Sequence, residues 1–326
     1  AFALLAYQSA WLKVHYGPEY LASLLNEQPM GFYSPDSLIQ YGRRTGIEVL
    51  PPDVNESQVE CSVEHPAGAE PTDTAPAVRL GLDRLRGLSG RDAERLVIER
   101  SKGGAYSSIP ELVSRTGLRR QATEILAWSG ALRCLPEGER AKALWAAGTS
   151  TPPAEVGSDG RAVQPALPFP GTLAPDLKEP ERLDLVRAEY ASTGVSLGEH
   201  PMTLLRANLE PGTTTLEDLR NLPHGTRAQA FGIVRIMQRP ATAKGTCFVL
   251  LEDETEVLNL IVPPRLAHSS RLLLRTARTL RADGRMEREG QVVNLICTRI
   301  APFPETGQEK SNPLSSAPAR KGFRGT

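Results

Sequence analysis

Apolar side chains in the first sixty residues recur at the three- and four-residue spacing of an α-helix, as in Phe2, Leu5 and Leu12. Prolines 29 and 35 interrupt this pattern, and a short apolar element at 47–50 is stopped by two further prolines. The stretch that follows is rich in Pro, Ala, Gly and Glu. We therefore expect a helical region over residues 1–60 and a loop over residues 61–78.

Residues 85–97 form the most distinctive pattern, Leu-Arg-Gly-Leu-Ser-Gly-Arg-Asp-Ala-Glu-Arg-Leu-Val, which is typical of a helix-hairpin-helix. Gly87 and Gly90 bracket a short turn, where glycine enters positive φ at little cost. The turn opens into a helix start, whose unpaired N–H groups form an anion site, and Arg84 and Arg86 are placed on the preceding helix. Ser89 stands where many such turns have glycine. The predicted contacts to the DNA backbone are Gly87, Ser89, Gly90, Arg91, Arg95 and Lys102.

An ordinary helical hairpin, in which the glycines only make a turn, is the alternative for this segment. A second helical unit is predicted over residues 110–132, since such hairpins often come in pairs. Its turn, Gly117-Leu118-Arg119-Arg120, lacks the glycine-rich sequence, so we expect it mainly to pack. Together they predict a tandem helix-hairpin-helix domain over residues 79–146, followed by a linker over 147–223 with one helix near 179–191.

The period changes to that of β-strands after Gly225. Three short apolar or β-branched runs, one helical piece and two further runs follow one another, which is the order of an OB-fold, a five-stranded barrel that commonly binds single-stranded nucleic acid. We expect this domain over residues 224–303 and a disordered tail over 304–326. The predicted strands are 229–236, 246–251, 257–262, 279–287 and 291–300, with the helix at 264–274.

Four residues of the barrel are predicted to contact nucleic acid. Arg235, Arg239 and Lys244 lie in or beside the first hairpin loop, and Phe248 fits either a stacking platform for bases or the barrel core. The acidic run at 252–254 is interpreted as a solvated turn rather than a metal site, because adjacent carboxylates at a strand end point in different directions.

Composition and charge support this picture. The 326 residues are 40% hydrophobic and 23% charged, as in soluble globular proteins, and the formal net charge of zero conceals basic blocks. Residues 79–146 hold 13 basic and 8 acidic side chains, and residues 221–303 hold 12 and 7. No apolar run approaches the ~20 residues of a membrane span and no signal peptide opens the chain, so we expect no membrane contact and a cytoplasmic protein. The four cysteines have neither zinc-site nor disulfide spacing, so no metal site is predicted.

With both modules in order, the chain resembles the C-terminal part of the bacterial C-family DNA polymerases, and most closely their error-prone branch, which acts in damage-induced mutagenesis and translesion synthesis. The fold that this implies is multidomain α+β: the helical end of a fingers domain at 1–60, then tandem helix-hairpin-helix units, then an OB-fold barrel. The segments that carry the resemblance are 2–13 with His15-Tyr16, 28–35, Val54-Asn55, 79–82, 239–245 and 251–255.

The resemblance implies that DNA is the partner, as duplex backbone and single-stranded template, of a nucleotidyltransferase that uses Mg²⁺ on palm carboxylates. In the family the palm precedes the fingers, and this chain starts at Ala1 inside a helical pattern without an N-cap. We therefore expect a fragment with no catalytic residue and no cofactor of its own, which binds DNA but does not extend a primer. The alternatives are a free-standing nucleic-acid-binding protein, a fragment of the replicative DNA polymerase III alpha subunit, and a role in protein interaction.

The predicted linker also contains a short candidate docking peptide. Gln164, Leu167 and Phe169 fit a loose pattern like the peptides that dock into bacterial sliding clamps, with two apolar anchors in a proline-rich stretch. A pattern with three fixed positions also arises easily by chance. The docking interpretation adds the sliding clamp and other proteins of the mutagenesis machinery, the mutasome, to the expected partners.

Overall fold

A computed structural model describes residues 2–30, 33–65, 76–150, 175–195, 197–207 and 209–303. The chain divides into two compact units, Ala1–Leu197 and Gly198–Thr326. The segment predicted as a linker is thus divided between them. Its first described part belongs to unit one, where the hydroxyl of Tyr190 donates a buried hydrogen bond of 2.6 Å to Asp36 Oδ2.

The first unit begins with three helices, α1 (Phe2–His15), α2 (Gly17–Asn26) and α3 (Pro35–Arg44). Helix α1 has no buried residue. Helix α3 starts at Pro35 because Ser34 is its N-cap and accepts the N–H of Ser37 at 3.2 Å. Helices α2 and α3 bury their apolar faces in a core that Leu25, Ile39 and Val78 share. The helical expectation for this region is confirmed by these elements.

A three-stranded sheet, β1 (Val49–Leu50), β2 (Ser62–Glu64) and β3 (Ala77–Arg79), has the order β1-β3-β2. Strand β3 pairs in parallel with β1 and antiparallel with β2. The loop predicted over residues 61–78 is therefore wrong at both of its ends. Strands of two or three residues carry too little alternation for the sequence to reveal them.

Four helices follow: α4 (Gly90–Gly103), α5 (Ile109–Thr116), α6 (Arg120–Ser129) and α7 (Arg140–Thr149), preceded by a 3-10 turn at Leu82–Arg84. A second core joins them, and α8 (Arg182–Thr193) packs against α6. The guanidinium of Arg140, whose side chain is 4% exposed, bonds the carboxylate of Glu189 on α8 at 3.2 Å. The largest fully buried side chains of this core are Leu82, Leu85, Leu96, Ile109, Leu112, Leu118, Leu126 and Leu132.

The second unit opens with two short helices, α9 (Pro201–Arg206) and α10 (Leu216–Arg220). The sequence predicted neither of them in its linker. Both begin at a local cap: His200 Nδ1 accepts the N–H of Met202, and Thr215 forms a capping box with Asp218.

The rest of the second unit is a closed barrel of five strands, with two helices between its third and fourth strands, which confirms the predicted OB-fold order. Strands are paired around the barrel as β4-β5-β6-β8-β7, with β6 and β8 parallel and the other pairs antiparallel. The elements are β4 (Arg227–Gln238), β5 (Cys247–Glu252), β6 (Val257–Val262), α11 (Pro264–Ser269), α12 (Arg271–Thr276), β7 (Thr279–Glu289) and β8 (Val292–Pro302).

Alternate side chains of these strands fill the barrel. Cys247, Val249 and Leu251 of β5 are each at most 2% exposed, and Leu260 and Leu295 are fully buried. This two-residue period makes the barrel interior a packed core rather than a ligand cavity. None of the helices in the described part of the chain combines the length and the apolar composition that crossing a membrane requires.

Candidate nucleic-acid interface

The first hairpin turn connects the 3-10 turn at Leu82–Arg84 with helix α4. Gly87 has a φ of +88°, and a Cβ at this position would lie 3.0 Å from Ile125 Cδ1 of α6. The positive φ therefore favours glycine, and a larger residue would also have to displace the Ile125 side chain. Gly90 is exposed, and a Cβ there would meet nothing within 4 Å. Gly87 thus makes the turn, whereas Gly90 begins the helix.

Ser89 is the N-cap of α4. Its Oγ accepts the N–H of Asp92 at 3.1 Å and donates to Asp92 Oδ2 at 2.7 Å. The residue that replaces the usual glycine therefore satisfies one of the helix-start amides and holds a carboxylate beside the others. This carboxylate already interacts with the positive end of the helix dipole, so it reduces the attraction that the helix start has for a phosphate.

The cations predicted around this turn lie at different distances from it. Arg91 is exposed beside the helix start, and Arg95 is exposed one turn further along α4. Lys102 lies near the opposite end of the helix, about 16 Å away at 1.5 Å per residue, and pairs with Glu99 at 3.0 Å. The structure therefore does not bring Lys102 to the turn.

Arg84 and Arg86 were placed on a helix before the turn, and this expectation is wrong. The segment is a single 3-10 turn ending at Arg84. The guanidinium of Arg84 bonds Asp83 and the carbonyl of Leu25, and Arg86 Nη1 donates to the carbonyl of Tyr190 at 3.2 Å. Both arginines therefore bind the protein itself.

The second hairpin turn connects two α-helices. Helix α5 ends at Thr116, and its C-cap Gly117 has a left-handed φ of +64° and donates its N–H to the carbonyl of Val113 at 2.8 Å. Leu118 is 1% exposed and anchors the turn in the core, and α6 starts after Arg119. This turn has the geometry of a helix-hairpin-helix, although its sequence indicated mainly a packing role.

The start of α6 differs from that of α4. No side chain caps it, and its first turn has no acidic residue. The first amides of a helix have no partner within the helix, and no side chain caps them here. Arg119 and Arg120 are both exposed at this point, with Arg120 Nε paired to Glu124 at 2.7 Å. The combination of uncapped amides and arginine is a candidate anion site that the sequence analysis did not predict.

The two turns belong to one packed unit. Arg95 Nη1 of the first hairpin donates to the carbonyl of Thr116, directly before the second turn, at 3.0 Å. Its guanidinium also lies beside Gly117, where a Cβ would be 3.7 Å from Nη1. Ile125 of the second hairpin meets Gly87 of the first. The structure therefore brings Arg95 to the second turn rather than to the first.

In the barrel, Arg235 was predicted to contact nucleic acid, but its side chain is only 9% exposed and its Nη2 bonds Glu252 Oε1 at 2.7 Å. His200 Nε2 lies 3.1 Å from the same oxygen. Because His200 Nδ1 accepts a backbone N–H, Nε2 carries the proton and donates to Glu252. Burial alone raises the pKa of Glu252, but the charge and hydrogen bond of Arg235 and the hydrogen bond of His200 lower it to about 2. The charge of Arg235 is thus neutralised by Glu252.

The prediction of a solvated turn at 252–254 is wrong, because Glu252 and Asp253 are buried and Glu254 is half-buried. Asp253 is 1% exposed, and its Oδ2 accepts from Arg206 Nη2 and from the N–H of Leu216, each at 2.8 Å. Arg206 also pairs with Glu254. These bonds attach α9 and α10 to the barrel. Pairing over nearly fifty residues leaves no local signal in the sequence.

Phe248 points out of the barrel. It is 38% exposed between the buried Cys247 and Val249, which excludes the barrel-core alternative. Its neighbours across the strands are Gln238 on β4 and Ile261 on β6. Arg239 and Lys244 are exposed in the loop between β4 and β5. Lys244 has a φ of +48°, a conformation unusual for a residue other than glycine.

Comparisons with known proteins agree with this geometry. Residues 46–143 match the family model described as the helix-hairpin-helix motif. Error-prone DNA polymerases of Methylococcus capsulatus, Burkholderia pseudomallei and Corynebacterium efficiens are 39%, 40% and 40% identical to the chain and cover 92%, 91% and 93% of it. The chain is a relative of the error-prone DNA polymerases. It spans 29%, 27% and 26% of the length of those three proteins.

An asparaginyl-tRNA synthetase from Pyrococcus horikoshii, complexed with asparaginyl-adenylate, superposes with a TM-score of 0.26 at 10% identity, over 30% of this chain and 23% of that one. A likeness at this level carries no argument about fold or function.

Two further expectations concern a magnesium site and a clamp-docking peptide. In the described ranges, no group of three or more His, Cys, Asp or Glu side chains could hold a metal ion, so the magnesium site implied for these polymerases does not fit the residues described here. The clamp-like residues Gln164, Leu167 and Phe169 lie outside the described residues.

Proposed function

We propose that this chain is the DNA-holding portion of an error-prone DNA polymerase, in which the hairpin unit binds duplex backbone and the barrel binds single-stranded template. The observation that carries this proposal is the second hairpin turn. There the uncapped start of α6 combines with Arg119 and Arg120, and the guanidinium of Arg95 lies beside Gly117.

Backbone amides and arginines recognise phosphate groups and not bases, so this contact supplies affinity without sequence preference. Such binding suits a polymerase, which must move along any sequence. The first turn contributes through the exposed Arg91 and the open surface at Gly90. Ser89 and Asp92 weaken that contribution, because they already occupy part of the helix start.

On the barrel, Phe248 offers a stacking surface for a base, and Arg239 and Lys244 place two cations in the adjoining loop. Stacking on an aromatic side chain contributes about 1–3 kcal/mol per base and tolerates every base. Arg235 is left out of the proposed interface, because Glu252 already binds its guanidinium.

Binding of the full chain to fluorescent duplex and single-stranded oligonucleotides tests the proposal, with anisotropy measured over a series of salt concentrations. We expect affinities that fall steeply with salt and hardly depend on sequence. Phe248→Ala should weaken single-strand binding by about tenfold or more and leave duplex binding unchanged. Val292→Ala, which removes another exposed apolar side chain of the barrel, is the matched control. Salt-independent or absent binding contradicts the proposal.

We assign no catalytic role to any residue of this chain. The proposal is that the polypeptide binds a primer–template without extending it, and that extension requires magnesium-binding carboxylates of a palm domain. The same polymerase would act in translesion synthesis after DNA damage. A primer-extension assay with the purified chain and Mg²⁺ checks the first point: retained primer is expected, and incorporated nucleotide contradicts it.

A peptide containing Gln164, Leu167 and Phe169 is proposed to dock into a sliding clamp, with the leucine and phenylalanine as apolar anchors. Pull-down of a bacterial clamp by the full chain is the test. Changing Leu167 and Phe169 to alanine should abolish capture, whereas failure of the unaltered chain to capture the clamp ends the proposal.

A further inference from the structure

A surface pocket lies where the ends of β4 and β5 meet α11 and α12. Its apolar lining consists of Met237, Cys247, Ala267 and Leu274, and the last three of these are at most 5% exposed. Three exposed arginines, Arg239, Arg271 and Arg275, line the same pocket.

The surrounding sequence provides no negative charge. Residues 257–282 contain five arginines and no aspartate or glutamate. Within the described part of the chain, none of the three pocket arginines forms an ion pair with a carboxylate. Arg271 and Arg275 are four residues apart on α12, so they share one face of that helix and repel each other by a few tenths of a kcal/mol.

Other arginines of the same unit are neutralised by the protein. Arg235 bonds Glu252, and Arg206 bonds Asp253 and Glu254. Carboxylates thus pair with Arg206 and Arg235, whereas no carboxylate of the described residues pairs with the pocket arginines. An anionic ligand would relieve the repulsion between the pocket arginines.

We propose that this pocket binds one phosphate group of a single DNA strand that runs off the surface at Phe248. The planar guanidinium donates two parallel hydrogen bonds to phosphate oxygens, so three guanidinium groups around an apolar floor suit a tetrahedral oxyanion. We assign the phosphate to a DNA strand because the pocket adjoins the surface at Phe248. Gln238, which is opposite Phe248 on the neighbouring strand, is followed directly by Arg239 of the pocket. The choice of DNA rests on the proposed function, whereas the choice of phosphate rests on the pocket alone.

The test compares two double variants of the full chain that each remove two positive charges. R271Q/R275Q empties the pocket of two of its guanidinium groups. R227Q/R299Q is the matched control, since Arg227 and Arg299 are exposed barrel residues that do not line the pocket. Unchanged circular dichroism spectra and melting temperatures establish that both variants are folded.

Binding to a fluorescent oligothymidylate over a salt series gives the first readout. R271Q/R275Q should bind roughly tenfold more weakly than the unaltered chain. The slope of log K against log salt should also fall in magnitude by about 0.7, as expected when one phosphate contact to a single strand is lost. The control should keep its slope and lose less than about threefold in affinity, as expected for arginines that contact no phosphate.

Calorimetric titration with sodium pyrophosphate at constant ionic strength gives a second readout that does not depend on DNA. One-to-one binding is expected for the unaltered chain and the control, and no binding for R271Q/R275Q. If pyrophosphate binding is lost but oligothymidylate affinity is unchanged, the ligand is a free phosphate compound and the assignment to DNA is overturned. If R271Q/R275Q changes neither readout relative to the control, the pocket proposal is overturned. If the unaltered chain binds pyrophosphate but no oligothymidylate, the proposed function fails and the phosphate pocket stands.

Discussion

The two hairpin turns of the first unit look alike in outline but differ in what already lies at the start of their second helix. At the first turn, Ser89 caps α4 and Asp92 places a carboxylate beside the helix start. At the second turn, α6 has neither a side-chain cap nor an acidic residue in its first turn, and Arg119 is exposed there.

This difference separates groups that stabilise the protein from groups that are available to a ligand. A helix start that a side chain caps, with a carboxylate beside it, contributes mainly to folding, whereas an uncapped helix start with exposed arginine beside it can bind a phosphate. The second turn, with the weaker sequence motif, is therefore the stronger candidate for contact with DNA. Arg235 in the barrel shows the opposite extreme, because its guanidinium is bound to a buried carboxylate.

The largest expected effect concerns the pair of Arg235 and Glu252 in the barrel. The folded pKa of Glu252 is about 2, below its ordinary value of 4.5, so ionised Glu252 stabilises the barrel fully above about pH 4.5 and less as the pH falls toward 2. Glu252→Gln should lower the free energy of unfolding by about 3 kcal/mol at pH 7 and by about half of that at pH 3. Urea unfolding of the full chain, followed by circular dichroism at both pH values, measures these free energies. Glu289→Gln, which neutralises an exposed carboxylate of β7, should change neither value, and an equal loss for both variants contradicts the account.

Alanine substitutions at the two turn glycines should have the next largest effect. Gly87→Ala should cost about 2 kcal/mol, because φ is +88° and the new methyl group approaches Ile125, and Gly117→Ala about 1 kcal/mol, because only the left-handed backbone opposes it. Tryptophan fluorescence reports on this unit, since all three tryptophans lie in it. Gly90→Ala is the control and should be neutral or slightly stabilising. A loss of stability at Gly90 as large as that at Gly87 would contradict the assignment of the turn to Gly87 and of the helix start to Gly90.

Charge reversal at the two turns tests their rank as DNA contacts. Arg119→Glu should weaken binding to duplex DNA roughly tenfold and Arg91→Glu roughly threefold, because Asp92 already offsets part of the positive charge near Arg91. Anisotropy with one duplex at fixed low salt gives both values. The reverse order would mean that the first turn is the principal contact.

Removing the carboxylate at the first turn should have the smallest effect, and in the opposite direction. Asp92→Asn keeps an acceptor for the Ser89 hydroxyl but removes a negative charge from the helix start, so duplex affinity should rise about two- to threefold while stability falls by about 0.5 kcal/mol. Glu94→Gln makes the same charge change at an exposed position on α4 and serves as the control. An equal gain for both variants would indicate a general charge effect and not a local one.

Local patterns predicted much of this structure. Strand alternation and turn residues gave the five barrel strands and the intervening helices in the right order, because each signal lies within its own element. The first hairpin was found from Gly87, whose positive φ is a local requirement. Helix α10 could have been found as well, since Thr215 and Asp218 form a capping box that is visible in the sequence.

The remaining features depend on contacts between distant residues. Arg235 is neutralised because Glu252 on another strand binds it, and His200 binds the same carboxylate; no spacing in the sequence shows this. The second turn was underestimated because a single glycine, Gly117, suffices for the left-handed residue, while Arg95 reaches the turn only through the packing of α4 against α5.

Hydrogen–deuterium exchange of the full chain, with and without duplex DNA, tests the central claim most directly. We expect DNA to slow amide exchange most over residues 117–121, at the start of α6, and less over residues 87–91. Protection confined to other parts of the chain, with no change at either turn, would contradict it.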